Sequence, residues 1–283
     1  MTFSGLFVPL ITPFAPDGSV DLPALATLAH EVLDAGATGL LALGTTAEPS
    51  SLTPAERHQV RTLVAEVSRE RRTPWIAAVH DGVVPASADA AMHTVPAFVR
   101  PGEEGVIAHF AALAAASPIP VVVYHVPYRT AQPLSAAALL RLASLPGVTA
   151  MKYAPGVLDA DAVQFLAATA SSPGFSVLAG DDVLAAPLLA LGAAGAVLAA
   201  SHFATADYAA LVAAWHSGDL SGARKLSHQL APLSSALFAA PNPTVIKAVL
   251  HRDGRIPSPA VRLPLTPAAP ELVLSLTPPS ACP

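Results

Sequence analysis

The stretch VVVYHVPYRTAQPLSAAALLRLASLPGVTAMK, residues 121–152, contains one complete unit of the fold. Val121–Tyr124 is a short continuous apolar run, dense in β-branched residues, and reads as a buried strand. Ser135–Ser144 follows with apolar residues at helical spacing. Val148–Lys152 is a second apolar run. Strand, helix and strand in direct succession form the βαβ unit of a parallel sheet.

The same alternation extends in both directions. Leu6–Ile11, Gly39–Leu43, Trp75–Val79, Ala91–Val95, Phe175–Ala179 and Ala196–Ala200 bring the strand candidates to eight. Leu22–Ala35, Pro54–Arg71, Glu103–Ser117, Asp159–Thr169 and Val183–Leu191 supply further helices between them. Eight strands with intervening helices in 283 residues predict a (β/α)8 TIM barrel of the α/β class, over residues 1–204. Ala206–His216, Ser221–Ala239 and Thr244–His251 predict a C-terminal helical extension over residues 205–256. Residues 257–283 form a proline-rich tail, in which the prolines predict no regular structure. One barrel unit is short. The segment HDGVVPASAD after Val79 has Gly82, Pro85 and no helical period, and a helical crossover needs at least about ten to twelve residues. The third barrel helix is therefore expected to be short or absent, exposing apolar barrel wall unless the tail or another subunit covers it.

Composition excludes several functions. The hydrophobic fraction is 53%, the charged fraction 12% and the net charge −5, with no basic block, which argues against nucleic acid as a partner. Arg69-Glu70-Arg71-Arg72 is interrupted by its glutamate and reads as the solvated end of a helix. The single cysteine, Cys282, precludes an internal disulfide framework or a cysteine metal site and suits a reducing cytoplasm. The opening MTFSGLFVPLITPF lacks a basic region and is interrupted by Pro9 and Pro13, so no signal peptide is expected. Val183–Ala200 has the length of a membrane span, but Pro187, Gly192 and Gly195 and the lack of aromatic or basic anchors point instead to helix, glycine turn and buried strand.

In a barrel, reactive groups sit where strands end and loops begin. The chain has three lysines, Lys152, Lys225 and Lys247, against twelve arginines, and Lys152 closes the sixth strand candidate. A desolvated lysine sheds its proton near neutral pH and forms a Schiff base with a carbonyl substrate, which arginine cannot do. A lysine at a strand end also has a plain structural use, snorkelling to solvent. The turn Gly44-Thr45-Thr46-Ala47-Glu48 after strand two offers backbone N–H groups and two hydroxyls to a carboxylate. Tyr124 is placed as a proton shuttle, and Arg129 suits a second carboxylate. Taken singly, each has a structural explanation: Tyr124 as a barrel filler, Arg129 in a surface ion pair, Asp181 and Asp182 as caps for the helix from Val183. Their joint placement at strand ends favours a site for a keto acid that forms an imine. His80, His125, His202 and Asp181 also fall at strand ends and raise the rival of a divalent ion for a class II aldol reaction. No pair has metal-motif spacing, and alternation puts His125 on the opposite strand face from Tyr124.

With GLFVPLITPF, LLALGTTAEPSSLTPAER, VVVYHVPYRT, VTAMKYAPG, VLAGDD, LGAAGAV, APNPTVIKAVL and VRLPL, the chain resembles, nearly end to end, the dihydrodipicolinate synthase and N-acetylneuraminate lyase family of pyruvate-dependent class I aldolases. The resemblance implies that Lys152 forms the imine with pyruvate and that Tyr124 relays protons. Thr45 and Thr46 would hold the pyruvate carboxylate, and Gly180 and Val197 would line the pocket through backbone groups. Arg129 would bind the carboxylate of an aldehyde partner, which favours the synthase type. No cofactor or metal is implied. Partners would be pyruvate and an aldehyde, the location cytoplasmic, and the assembly a homo-oligomer, dimer or tetramer. The alternatives are a 2-keto-3-deoxy sugar acid aldolase or dehydratase, or a degenerate barrel kept for binding. Four departures stand out. Phe98 replaces a relay tyrosine, which calls for water in its place. Ala47 replaces a glycine and requires a negative φ. Tyr153 replaces the glutamate that often follows the lysine, and His125 replaces an asparagine. Feedback inhibition by lysine is not expected.

Overall fold

The computed structural model describes residues 2–170, 172–274 and 276. Its strands are β1 (Gly5–Pro9), β2 (Gly39–Ala42), β3 (Trp75–Ala78), β4 (Ala90–Thr94), β5 (Val121–His125), β6 (Val148–Tyr153), β7 (Ser176–Ala179) and β8 (Gly195–Val197). They follow one another in sequence order as a closed barrel. The helices are α1 (Leu22–Asp34), α2 (Pro54–Arg71), α3 (Gly102–Ala116), α4 (Pro127–Thr130), α5 (Ala136–Ala143), α6 (Ala160–Thr169), α7 (Ala185–Ala190), α8 (Thr205–Ser217), α9 (Leu220–Leu237), α10 (Thr244–Arg252) and α11 (Pro270–Leu274). Local chemistry fixes many of the starts. Asp21, Thr53, Ser135, Asp159 and Asp219 each accept a backbone N–H at the head of a helix, and Thr53 forms a reciprocal capping box with Glu56.

Two compact units divide the chain. The first contains the N-terminal residues to Gly5 and Ile76–Val197. Its centre is the parallel ladder β4–β5–β6–β7, in which every residue of β5 is buried. The register of β5 against β6 slips once: Val121 faces Val148, but Val122 faces Ala150. Thr149 is thus the extra residue of a bulge, and its buried hydroxyl has no hydrogen-bond partner. Because side chains alternate with period two, that residue decides which face Lys152 presents, and it sets Lys152 opposite Tyr124. His125 and Tyr153 form the next rung and stack on the other face, with ring centroids 5.6 Å apart and planes at 14°.

No helix joins β3 to β4, as the short third crossover predicts. The expected exposed wall is not found. Ile76, Ala77 and Ala78 are buried, as are Ala88, Ala90 and Ala91, so small side chains close this wall without a helix. β8 stops at Val197, three residues before the expected Ala200, and Ala200–His202 make a 3-10 turn. An alanine-rich run has no periodicity to separate strand from helix there. No helix among the described residues is long and apolar enough to cross a membrane. Val183–Ala200 holds α7, a turn at Gly192 (φ 106°) and β8.

The second unit contains Leu6–Trp75 and the chain from Leu198 onward. α8 and α9 pack together, and Tyr208 and Ser234 share a buried hydrogen bond of 2.6 Å. The tail is more ordered than its prolines suggest. Pro270 starts α11, where its missing N–H would have no helical partner anyway. Arginines pin the segment: Arg252 donates to the carbonyls of Val273 and Leu276, and Arg262 chelates both carboxylate oxygens of Glu56 at 2.7 and 2.9 Å. Cys282 and prolines 278, 279 and 283 lie outside the described residues.

Candidate active site

Lys152 is buried in the first unit, on β6. Its Nζ lies 4.4 Å from the centroid of the Tyr124 ring, across the rung that the bulge creates. Burial lowers the Lys152 pKa to about 8, because the ammonium has lost its water; Asp182 opposes the shift and Arg129 adds to it. An amine so placed has an appreciable neutral fraction at physiological pH, the form that attacks a carbonyl. Gly180 follows β7 and makes room for this side chain. A Cβ there would lie 2.7 Å from Lys152 Cγ and 3.1 Å from Cε.

Lys152, Tyr124 and Gly180 are thus brought together. Val197 is the buried last residue of β8. Arg129 lies in the single turn of α4, is exposed, and sits 5.3 Å from the ring of Tyr128, with no ion pair among the described residues. The two aspartates do not cap a helix at Val183, since α7 begins at Ala185 with Leu184 at its N-cap. Asp181 instead accepts N–H groups of Leu184, Gly156 and Val183, while burial pushes its carboxyl up. Asp182 is buried and acts electrostatically on Lys152.

The turn Gly44–Glu48 belongs to the second unit. Thr45–Ala47 form a single 3-10 turn, flanked by Leu43 (φ 57°) and Glu48 (φ 54°) in the left-handed region. Two non-glycine residues in that conformation bracket the segment, a strain that clusters at functional turns. Ala47 itself is not in the left-handed region, so its methyl is accommodated. The first N–H groups of such a turn have no partner within it, and Thr45 and Thr46 carry them. Thr46 is buried, and its hydroxyl oxygen accepts from Asn242 Nδ2 at 3.0 Å. Thr12 Oγ1 donates to Ala47 O at 2.8 Å. Glu48 is buried and pairs with Lys247 at 2.8 Å; its other carboxylate oxygen accepts the Arg262 N–H at 2.8 Å.

Asn242, Lys247, Thr12 and Arg262 were not legible as partners of this turn. The one available signal was the scarcity of lysine, which marks Lys247 as much as Lys152. Among the histidines, His202 is a satisfied core residue. Its Nε2 accepts the Ile11 N–H at 3.2 Å, and its Nδ1 donates to Ala199 O at 2.9 Å. His125 is buried against Tyr153. Phe98 is 97% exposed, with φ 68°.

The sequence pattern of the dihydrodipicolinate synthetase family matches residues 2–277. The 4-hydroxy-tetrahydrodipicolinate synthase of Moorella thermoacetica is 36% identical over 287 residues, covering 96% of this chain and 95% of that protein. Among solved structures, dihydrodipicolinate synthase from Thermotoga maritima is similar with a TM-score of 0.89 at 27% identity, over 97% of this chain and 96% of that one. The chloride-inhibited dihydrodipicolinate synthase from Acinetobacter baumannii, complexed with pyruvate, has a TM-score of 0.87 at 31% identity, over 96% and 95%.

Proposed function

The chain belongs to the dihydrodipicolinate synthetase family, and on that premise we propose that it is a lyase of the class I aldolase type, joining pyruvate to an aldehyde through an imine on Lys152. The observation that carries this is the buried Lys152 amine, its pKa lowered to about 8, over the Tyr124 ring. The neutral amine adds to the keto carbon of pyruvate, and the carbinolamine loses water to give the imine. Loss of a methyl proton gives the enamine, which attacks the aldehyde carbon. Water then hydrolyses the new imine and returns the amine.

Tyr124 moves protons to and from the carbinolamine oxygen, and water stands in for the hydroxyl that Phe98 lacks. Thr45 and Thr46 hold the pyruvate carboxylate through hydroxyl and N–H groups. Gly180 and Val197 line the pocket with backbone. Arg129, with its guanidinium exposed and free of an ion pair among the described residues, takes the carboxylate of the aldehyde. Both substrates are small carbonyl compounds, and the enzyme works in the cytoplasm as a homo-oligomer, dimer or tetramer.

Incubation with pyruvate and borohydride, followed by peptide mass spectrometry, tests the central step. A reduced pyruvyl adduct on Lys152 is expected. No adduct at saturating pyruvate would sink the imine and leave the barrel as a binding module.

A further inference from the structure

The bond between Asn242 and Thr46 has a direction. Asn242 Nδ2 donates and Thr46 Oγ1 accepts, at 3.0 Å. A hydroxyl that accepts in this way keeps its own proton for another acceptor. Donation into a hydroxyl also strengthens its outgoing hydrogen bond. The amide is retained at a cost, because Asn242 Oδ1 is buried without a hydrogen-bond partner. That cost makes sense if the amide is kept for its N–H.

The chain around Asn242 holds the amide steady. Asn242 lies just ahead of α10, where the Thr244 N–H bonds Pro241 O at 2.9 Å and the Lys247 N–H bonds Pro243 O at 2.9 Å. Lys247, on the same helix, donates to Glu48 Oε1 at 2.8 Å and to Thr12 O at 2.9 Å. Thr12 in turn donates to Ala47 O. The Thr45–Glu48 turn is therefore gripped at a hydroxyl by Asn242, at a carbonyl by Thr12 and at a carboxylate by Lys247. The Lys247 grip fixes where the turn lies. The Asn242 grip fixes which way the Thr46 proton points.

We propose that Asn242 is a positioning residue that commits the Thr46 hydroxyl to donating to the carboxylate of the 2-keto acid. This rests on the role given to Thr46 above, and it makes Asn242 a determinant of the preference for an anionic over a neutral ketone. Removing the amide frees the hydroxyl to rotate, and an aspartate in its place takes the hydroxyl proton.

The test measures half-saturation of borohydride trapping on Lys152 with pyruvate and with the neutral analogue pyruvamide. Asn242→Ala is expected to raise the pyruvate value about threefold or more and leave the pyruvamide value within twofold. Asn242→Asp should raise the pyruvate value at least tenfold, and serves as the second variant should the alanine fail to fold. In a Thr46→Val background, which has no hydroxyl to orient, Asn242→Ala should have no further effect on pyruvate. Equal shifts for pyruvate and pyruvamide, or an undiminished Asn242→Ala effect without the Thr46 hydroxyl, overturn the proposal alone. No adduct in the unaltered protein overturns it together with the imine reading.

Discussion

Gly180 has no side chain because Lys152 needs the space. A methyl there would meet Lys152 Cγ at 2.7 Å and Ala154 Cβ at 3.3 Å, so the lysine stem must move while the backbone conformation, which is not left-handed, tolerates alanine. Gly180→Ala is expected to lower kcat/KM for pyruvate at least tenfold, since displacing a reacting atom by about 1 Å costs about a hundredfold. Its Tm should stay within a few degrees of the parent. An equal loss of Tm and activity would assign the glycine to folding instead. Lys247 shows how much one residue type conceals. Lys152 was legible because it closes an apolar run; Lys247 sits in an ordinary helical pattern, and its partner Glu48 is 199 positions away. Both amines are desolvated to a pKa of about 8, but the Lys247 shift is opposed by a carboxylate in direct contact. Lys247→Met would leave Glu48 buried and unpaired, at about 3–5 kcal/mol. Chemical denaturation should show that loss, and Lys247→Met/Glu48→Gln should recover much of it. A double variant as unstable as the single one would mean that packing, not charge, is what Lys247 supplies.

At the level of elements, strands and helices were readable wherever a period or a cap was present, and α2 begins at the Pro54 and ends at the Arg71 expected of it. What escaped was set by pairing between strands. Alternation correctly separates His125 from Tyr124, yet nothing in VTAMKY marks Thr149 as the bulge that turns Lys152 onto the Tyr124 face. The same rungs explain two departures from the family pattern together. Where the resemblance leads one to expect asparagine and glutamate, this chain has His125 and Tyr153, and they stack, with Phe165 against Tyr153 at 5.2 Å. Burial favours the neutral form of both rings, lowering the His125 pKa to about 4 and raising that of Tyr153. Tyr153→Glu alone would bury a carboxylate between an imidazole and a phenyl ring and is expected to destabilise by about 3 kcal/mol or more. Adding His125→Asn should restore part of this, measured as a favourable coupling in a double-mutant cycle. Strict additivity of the two changes would show that they do not act as a pair.

Across the whole molecule, repetition made the barrel legible: eight similar units tolerate errors of a residue or two at each strand end. The parts without repetition were less legible, although the missing third helix was expected. The third crossover closes its wall with alanines, and the tail is fixed by Arg252, which holds the carbonyls of Val273 and Leu276, and by Arg262, which holds Glu56 on α2. Buried titratable groups give the molecule its acid limit. His125 and His202 are both held near a pKa of about 4 by burial, against an ordinary value of 6.5. Between those values the unfolded chain binds protons that the folded chain refuses, so stability falls as the pH drops from 6.5 towards 4. Each histidine contributes a loss on the order of 3 kcal/mol across that window. Glu56 acts lower down. Its Arg262 partner holds its pKa at about 2, against 4.5, so the stability it contributes above 4.5 is lost as the pH falls from 4.5 towards 2. Urea denaturation followed from pH 7.5 to 4.5 should therefore show a continuous fall in the midpoint, beginning near 6.5 and before any carboxylate contributes. In His125→Asn, which has nothing to protonate at that rung, the fall should be smaller, with His202 and His93, whose pKa burial also lowers, still contributing. A midpoint that stays level to pH 4.5 in the parent protein would mean that both imidazoles take up protons in place, and that burial does not set their charge.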